Sequence, residues 1–315
     1  LRDAIIDSNN IVAVKAITAL TPQVGFDFLQ KLGFTTLVNN RVNTNGAYES
    51  DVNQSLSLGG ITDGVTNVEL TAAYAAIANQ GTYNKPVLYT TVKDSNGNVL
   101  LSNKTSSRKV MKKSTAWLLT NAMEDVIKKG TGREAQLDSD MATAGKTGTT
   151  SNNYDYWFCG YTPYYTASVW TGYDYNTSFD NDKDYHKVIW KKIMDRIIKE
   201  TKQSAKSFPA CKSIKKASIC MKSGKKTLPD ICAKDPQKSM VRTEYFAPGT
   251  VPKDSCDAHI AVTFCSKSHL VAQKFCPEKF RYTKVFRVRP KHSTGKTEDE
   301  PYFLNIDINK KKCNI

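Results

Sequence analysis

The sequence contains few histidines and no long apolar run. Four histidines occur among 315 residues, and none of them precedes or accompanies the motifs that carry the chemistry described below. A Ser-His-Asp catalytic triad is therefore not expected. No apolar run reaches the ~20 residues that cross a bilayer as a helix, and no signal-peptide pattern is present.

Acidic residues are also few relative to basic ones. Asp and Glu number 30 against 45 Lys and Arg, which gives a formal net charge of +15. Such an excess either covers an ordinary solvated surface or attracts polyanions. The sequence has no recognised nucleic-acid motif and no arginine-rich arm, and lysines dominate its basic residues, so nucleic acid is not expected as a partner.

The chain is long enough for two domains. Its 315 residues, 40% of them hydrophobic, supply enough apolar surface for a sizeable core. From Thr201 onward the composition shifts to Lys, Ser, Pro and Cys. We therefore place a boundary there, with residues 1–200 as one domain and residues 201–315 as a basic, cysteine-rich extension.

Capping residues and periodicity mark the helices of the first domain. Thr21-Pro22 opens one helix, because Pro is favoured at the first helical position. Thr66 to Glu69 is a capping box that opens another. Residues 114–129 and 185–202 are amphipathic. Gly130 to Arg133 is predicted to end the helix before it, with the arginine in solvent rather than on an anionic substrate.

The most informative stretch runs from Ala144 to Asp174. Aromatic and β-branched residues favour strands at Tyr156–Tyr161 and Val169–Thr171, and Thr162–Tyr164 has the composition of the turn between them. With Lys146-Thr147-Gly148 on a preceding strand, the pattern predicts three consecutive antiparallel strands, the first of them an inner strand. A glycine there allows another molecule to lie against the backbone, which a side chain would prevent.

This stretch resembles a known family. Lys-Thr-Gly is one of three motifs of the penicillin-recognising serine acyl-transferases, and KTGTT followed by YDYWFCGYTP and VWTGYD resembles the transpeptidase domain of class A penicillin-binding proteins. SLSLGG…GVTNVEL…AYAAIANQGTY and, in the tail, EYFAPGTVPKDSCDAH are similar to the same proteins. The resemblance covers residues 1–202 and this tail segment. It implies an α+β fold, an antiparallel sheet flanked by helices as in serine β-lactamases, followed by a small β-rich, cysteine-containing tail.

A Ser-x-Asn motif of that family matches Ser8-Asn9-Asn10. A hydroxyl can relay a proton there, and an amide can both donate to and accept from a peptide. Ser and Asn are also preferred helix caps, so an ordinary cap is the alternative. Ser-Asn-Asn recurs at Ser151–Asn153, where it follows the Lys-Thr-Gly strand and is typical of a turn. The first copy is preferred because an apolar, helical segment, IVAVKAITAL, follows it.

The family's nucleophile lies in a Ser-x-x-Lys motif that precedes Ser-x-Asn, and no such motif precedes Ser8. Three later matches, Ser106–Lys109, Ser213–Lys216 and Ser223–Lys226, lie in polar segments and are rejected as chance matches in a lysine-rich chain. We therefore expect a fragment of a longer protein. By the resemblance, the nucleophile, a glycosyltransferase domain and an N-terminal membrane anchor lie upstream, and the chain is extracytoplasmic and inactive by itself.

The resemblance also implies residue roles. Ser8 would relay protons and Asn10 would hold the peptide amide. Lys146 would supply positive charge near Ser8 and the substrate carboxylate. Thr147 and Thr149 would bind that carboxylate, with the Thr149 N–H in the oxyanion hole.

In this assignment Gly148 keeps the strand open to substrate, and no cofactor is expected. The implied reaction is peptidoglycan D,D-transpeptidation. A serine attacks the penultimate D-Ala of a stem peptide, releases the terminal D-Ala and passes the acyl group to an amine. The expected partners are stem peptides ending in D-Ala-D-Ala, β-lactams and anionic envelope polymers. Two alternatives stay open: a β-lactam-binding or sensing module without turnover, and a structural domain whose basic tail binds envelope polymer.

Six of the eight cysteines lie between Cys211 and Cys276, which indicates an oxidising compartment or a metal site. An internal repeat groups four of them. Cys220 and Cys265 each begin Cys-x-Lys-Ser, and Cys232 and Cys276 follow about eleven residues later. This predicts two short hairpins, each closed by a disulfide worth on the order of 3 kcal/mol.

Zinc is the alternative for the tail. Cys256, His259, Cys265 and His269 offer four ligands, although their spacing is not that of a standard finger. The repeat accounts for more of the cysteines, so no metal is expected. Free thiols stay open as a third interpretation.

Overall fold

The computed structural model describes residues 1–179, 184–290, 295, 297–305 and 312–313, and it divides into two compact units. They are Leu1–Lys212 and Ser213–Ile315. The boundary falls after Lys212 rather than after residue 200, because the segment that follows the last long helix still packs on the first unit. There the Ala142 N–H donates to the Lys206 carbonyl over 3.1 Å, and the Phe208 ring lies edge-on to Tyr161 at 5.4 Å between centroids.

The first unit is an α+β fold. Its helices are α1 Arg2–Ile6, α2 Asn10–Leu20, α3 Pro22–Lys31, α4 Asn67–Ala78, α5 Lys113–Lys129 and α6 Tyr185–Glu200. Its strands are β1 Arg41–Val42, β2 Tyr48–Glu49, β3 Thr82–Asn84, β4 Thr91–Lys93, β5 Val99–Ser102, β6 Ser107–Lys109, β7 Ala144–Thr149, β8 Asp155–Tyr161 and β9 Thr166–Gly172.

The predicted helix starts are confirmed. Pro22 is the first residue of α3, where its missing N–H costs nothing. The Thr66 hydroxyl accepts the Glu69 N–H over 3.2 Å and so caps α4. The Glu69 carboxylate accepts from the Thr35 hydroxyl and N–H, and this links α4 to the segment after α3.

The central sheet has the strand order β7-β8-β9, all antiparallel, as the sequence predicts. Lys146 is paired with Cys159 and Gly148 with Trp157. The prediction of an inner position for the first strand is wrong: β8 is the inner strand, and β7 is an edge of this sheet in the described part of the chain. In three strands joined by consecutive hairpins, the middle segment lies in the middle. An edge strand leaves backbone N–H and C=O groups unpaired, which suits the binding of an extended peptide.

Helix α6 covers one face of this sheet. Trp190 and Phe158 are fully buried and meet edge-to-face, with ring centroids 5.0 Å apart. The apolar pairs of α6 supply Trp190, Met194 and Ile198 to this core. Aromatic burial of this kind is the largest single contribution to such a core.

Helix α5 packs beside β7. Its Thr120 hydroxyl hydrogen-bonds the buried Tyr161 hydroxyl over 2.8 Å. Ala144 at the start of β7 lies in the same core as Met123 of α5. The contact fixes β7, and with it Lys146, against the helix that also holds the N-terminal segment.

The second unit consists of two antiparallel strand pairs. They are β10 Lys215–Cys220 with β11 Val241–Phe246, and β12 His259–Cys265 with β13 Arg281–Arg287; a short helix, α7 Pro229–Cys232, lies between β10 and β11. The two halves of the sequence repeat therefore fold alike. Cys220 and Cys265 each end the first strand of a pair, and Cys232 and Cys276 each precede the second strand.

The predicted disulfides are not present in the structure: Cys220 is not bonded to Cys232, and Cys265 is not bonded to Cys276. Cys220 does lie close to Cys232, and Cys265 close to Cys276, but each pair shares its surroundings with a third buried cysteine. The repeat predicts which cysteines meet within each half. The repeat does not predict the third cysteine of each cluster, because Cys256 and Cys313 each follow the second strand of a pair, outside the repeated segment.

The four residues considered for the zinc alternative do not lie together. Cys256 and His259 lie together, but Cys265 belongs to the other cysteine cluster and His269 to neither. His259 and Cys265 are the first and last residues of β12. A seven-residue strand separates its ends by about 20 Å, so these two residues cannot bind one ion.

No single helix in the described residues is long and apolar enough to span a membrane. Helices α2 and α3 reach that length and hydropathy only when taken together, and their axes differ by 94°.

Candidate active site

Helix α1 is anchored on α5, and this places Ser8. The Arg2 guanidinium binds the Asp125 carboxylate at 2.9 Å and the Asn121 side-chain oxygen at 2.7 Å. The Thr131 N–H, just beyond α5, donates to the Ile6 carbonyl over 3.3 Å. Both ends of α1 are thus tied to α5 or to the loop that follows it.

Ser8 lies in the turn between α1 and α2 with a φ of 54°. A non-glycine residue adopts this left-handed conformation at a cost, which the surrounding structure must offset. The neighbouring Asn9 is the cap of α2, and its side-chain oxygen accepts the Val12 N–H over 3.1 Å. The helix-cap interpretation therefore applies to Asn9, whose side chain caps α2, and not to Ser8.

Lys146 is the partner of Ser8. Its Nζ donates to the Ser8 Oγ over 2.8 Å and to the Thr147 carbonyl over 2.9 Å. No carboxylate forms an ion pair with Lys146 among the described residues. Burial lowers the pKa of Lys146 to about 8 because desolvation penalises the charged form. The ammonium is thus mostly protonated at neutral pH and has no counter-ion within the described site.

Asn10 is the first residue of α2. It is exposed, and its side chain has no hydrogen-bond partner in the part of the chain that the structure describes. A primary amide offers two donors and an acceptor. Its position one residue beyond the Asn9 cap leaves these groups exposed.

Thr131 belongs to the site, and the sequence did not single it out. Its hydroxyl hydrogen-bonds the Thr147 hydroxyl over 2.8 Å. Lys187 of α6 supports this loop by donating to the Thr131 carbonyl at 3.3 Å and to the Glu134 carboxylate at 2.6 Å. The sequence signal was a threonine between Gly130 and Gly132 directly before the central stretch. By contrast, Arg133 is exposed, as predicted.

Gly148 lies half-buried on β7, with room for a side chain. A Cβ built there would meet only Trp157 Cβ, at an ordinary 3.5 Å. At Gly145, three residues earlier on the strand, a Cβ would lie 2.6 Å from Phe158 Cζ and 2.9 Å from the Cys159 carbonyl oxygen. The core of this chain therefore requires a glycine at 145 but not at 148.

Thr149 is the last residue of β7 and is exposed. The chain then turns through Ser151–Asn153, a short 3₁₀ turn held by the Thr150 hydroxyl, which accepts the Asp155 N–H over 2.9 Å. This second Ser-Asn-Asn copy connects β7 to β8, so its prediction as a turn is confirmed.

Ser8 is the one serine that hydrogen-bonds Lys146 among the described residues. Of the three rejected Ser-x-x-Lys matches, Ser106–Lys109 overlaps β6, which is paired with β3, and the other two lie in the second unit. The described site therefore contains the Ser-x-Asn and Lys-Thr-Gly motifs in contact, without a second serine at the lysine.

A family model described as penicillin binding protein transpeptidase domain matches residues 1–198. The chain belongs to this family. A second model, penicillin-binding protein 1A, C-terminal domain, matches residues 210–261. The sequence resemblance and the α+β fold that it implies are thereby confirmed.

Curated relatives extend the match to the whole chain. Penicillin-binding protein 1A of Clostridium novyi is 32% identical over 318 residues, which is 100% of this chain and 35% of the relative. Penicillin-binding protein 1A/1B of Bacillus subtilis is 32% identical over 270 residues, 80% of this chain and 28% of the relative. The chain thus spans about a third of the length of the curated relatives it matches.

Among solved structures, penicillin-binding protein 1A from Haemophilus influenzae has a TM-score of 0.62 and is 20% identical, covering 81% of this chain and 41% of that one. At this identity the likeness concerns the fold. The two family models thus assign residues 1–198 to the transpeptidase family and residues 210–261 to the C-terminal domain of the 1A type.

Proposed function

We propose that this chain forms the substrate-binding side of a peptidoglycan D,D-transpeptidase site. The observation that carries the proposal is the 2.8 Å hydrogen bond between Lys146 Nζ and Ser8 Oγ. It joins a Ser-x-Asn motif to a Lys-Thr-Gly motif, as the family's chemistry requires. A cation that lacks a counter-ion in the described site then attracts the terminal carboxylate of the donor peptide.

Each residue has a role that its surroundings support. Lys146 holds the Ser8 hydroxyl as a proton relay and faces the carboxylate, which Thr147 and Thr149 also bind. Asn10 holds the amide of the stem peptide. The peptide lies along the open edge of β7, and the Thr149 N–H stabilises the oxyanion.

The reaction proceeds in two balanced steps. The nucleophilic serine oxygen bonds to the carbonyl carbon of the penultimate D-Ala, the C–N bond to the terminal D-Ala breaks, and the leaving nitrogen receives a proton through Ser8. An acceptor amine then attacks the ester, the C–O bond breaks, and the serine regains its proton.

The nucleophile belongs to a Ser-x-x-Lys segment outside these 315 residues. The longer parent protein, defined here as this chain together with that segment, acts on stem peptides ending in D-Ala-D-Ala and is acylated by β-lactams. We place it on the extracytoplasmic face of the membrane, held by an upstream helix, with an upstream glycosyltransferase domain. The net charge of +15 suits a position among anionic envelope polymers.

A fluorescent penicillin tests the proposal. The parent protein is expected to form a covalent adduct that unlabelled penicillin prevents, and to exchange the terminal D-Ala of a model pentapeptide for an amine. The 315-residue chain alone is expected to form none. An adduct mapped by mass spectrometry to a serine within these residues would overturn the assignment of the nucleophile. A parent protein that is acylated but never releases D-Ala would favour the sensing alternative.

A further inference from the structure

Three thiols and one imidazole gather in the second unit. Cys220 ends β10, Cys232 ends α7, Cys256 follows β11 and His259 begins β12. All four side chains are buried, and their nearest ligand atoms lie within 4.8 Å of one another. Four segments of the chain thus deliver one side chain each to a single point.

Main-chain hydrogen bonds fix this arrangement. The Cys220 N–H donates to the Lys225 carbonyl over 2.9 Å, and the Cys256 N–H donates to the Lys226 carbonyl over 2.8 Å. The Cys232 carbonyl accepts the Met240 N–H over 3.0 Å. The main-chain positions of the three cysteines are therefore set by the fold.

The Asp235 carboxylate orients the imidazole of His259 through the ring nitrogen that does not face the thiols. Its Nε2 lies 2.8 Å from the Asp235 carboxylate, and both side chains are fully buried. Asp235 is held in turn by Arg287, whose Nε and Nη2 each donate to it over 2.7 Å. Because a carboxylate only accepts hydrogen bonds, the His259 Nε2 carries the proton. The Nδ1 lone pair therefore faces the thiols, 3.4 Å from Cys220 Sγ and 3.4 Å from Cys256 Sγ.

We propose that Cys220, Cys232, Cys256 and His259 bind a structural Zn²⁺ ion. Three thiolates and one imidazole form one of the standard structural zinc ligand sets, and zinc bonds of about 2.3 Å to sulfur and 2.0–2.1 Å to nitrogen at tetrahedral angles place S and N about 3.5 Å apart. The 3.4 Å separations match this value. A histidine that donates its other N–H to a carboxylate is the usual arrangement behind a zinc ligand.

A disulfide would account for fewer of the four clustered side chains than a zinc ion does. A bond between any two of the three cysteines uses two of the four ligand atoms and does not account for the third thiol or the His259 Nδ1 beside it. Zinc uses all four. It displaces the thiol protons on binding, and the Leu228 N–H, 3.4 Å from Cys232 Sγ, stabilises the resulting thiolate. With four protein ligands no position stays open for catalysis, so the ion holds the unit together.

The second half of the repeat supplies an independent observation. Cys265, Cys276 and Cys313 form a second buried cluster, with their sulfur atoms within the same 4.8 Å. Each half thus brings a third cysteine, from beyond its second strand, to the pair that the sequence repeat identifies. A framework selected for one disulfide per half would not need that third thiol.

Metal analysis of the whole 315-residue chain, purified with a thiol reductant, tests the proposal. At least one zinc per chain is expected to survive gel filtration, and X-ray absorption is expected to show zinc bound to sulfur at about 2.3 Å and to nitrogen. Cys256→Ser and His259→Gln should each lower the zinc content by one equivalent relative to wild type. The matched controls Cys211→Ser and His269→Gln, in residues outside both clusters, should leave it unchanged.

Asp235→Asn serves as a milder variant, because it keeps the shape of the side chain. It should bind zinc 10–100-fold more weakly in competition with a chelator, the usual effect of losing such a carboxylate. Wild-type chain that holds no zinc, or a zinc content that Cys256→Ser and His259→Gln do not reduce, would overturn the proposal. So would an intact mass that shows a Cys220–Cys232 disulfide in protein purified without reductant.

Discussion

Ser8 Oγ and Lys146 Nζ lie 2.8 Å apart although 138 positions separate the two residues in the chain. The contact exists because α1 is fixed to α5 by Arg2, and β7 packs on the same helix. Helix α5 therefore sets the distance between the two motifs. The predicted proximity of Ser8 and Lys146 is confirmed, and the roles assigned to them can be tested separately from the fold.

Substitutions at two glycines of β7 should distinguish an effect on substrate binding from an effect on folding. Gly148→Ala should leave the free energy of unfolding within about 1 kcal/mol, the ordinary cost or gain of such a change, because its Cβ meets only Trp157 at 3.5 Å. The same methyl group projects where substrate is expected to lie. Penicillin labelling of the parent protein should therefore slow by about tenfold or more, equal to about 1.4 kcal/mol.

Gly145→Ala is the matched control. Its Cβ would lie 2.6 Å from Phe158 Cζ, and overpacking of this kind costs about 1–3 kcal/mol. Denaturant unfolding should show a lower free energy of unfolding for Gly145→Ala but not for Gly148→Ala. Equal destabilisation by both variants, or normal labelling of a folded Gly148→Ala protein, would contradict the account of this strand.

The ammonium of Lys146 should determine the alkaline side of the pH–rate profile. Burial lowers its pKa to about 8, so the positive charge is present below that pH and is lost as pH rises through it. The acylation rate constant of the parent protein should fall along this limb. In Lys146→Arg the rate at neutral pH should be lower, but the limb near pH 8 should disappear because a guanidinium stays protonated up to about pH 12. An unchanged limb in this variant would assign the titration to another group.

His186 should make the first unit sensitive to acid. It is buried against Tyr156, and burial lowers its pKa to about 4. An unfolded histidine titrates near pH 6.5, so between pH ~6.5 and ~4 the unfolded state binds more protons. Stability is fully present above that window and is lost as pH falls through it. The loss should be about 1–3 kcal/mol, the lower end allowing for solvent screening.

The variant His186→Phe keeps a ring against Tyr156 and removes the titrating group. All four tryptophans, Trp117, Trp157, Trp170 and Trp190, lie in the first unit, so their fluorescence reports its unfolding. The difference in unfolding free energy between wild type and variant should grow as pH falls from 6.5 to 4. A constant difference across this range would mean that His186 does not carry the effect.

Local sequence patterns predict the three strands and the helix starts well. Tyr156–Tyr161 has the aromatic composition of a strand, and Thr66 sits three residues before a glutamate, so each element follows from its own residues. The edge position of β7 depends on which strands pair with it. The entry of Thr131 into the site depends on the loop after α5 reaching Thr147. Neither relation can be inferred from the spacing of the residues in the sequence.

The tail shows the same limit. The repeat correctly groups Cys220 with Cys232, but the third thiol and the imidazole come from Cys256 and His259, after the second strand of the pair. His259 and Cys265 are the two ends of a seven-residue strand and therefore lie far apart. The sequence alone does not show this. When ligands come from several strands, the pairing of those strands determines which residues meet. The short-range spacing of residues in the sequence does not encode that pairing.

The central claim is that Lys146 acts on substrate through its charge and its hold on Ser8. The measurement that tests it most directly is the second-order rate constant for acylation of the parent protein by a fluorescent penicillin, with wild type compared to Lys146→Ala. The rate constant of Lys146→Ala is expected to be at least about 100-fold lower, as for the loss of a preorganised electrostatic group, in a protein that remains folded. Lys128→Ala, which removes an exposed lysine of α5, should react at the wild-type rate. A folded Lys146→Ala protein that is acylated as fast as wild type would contradict the account.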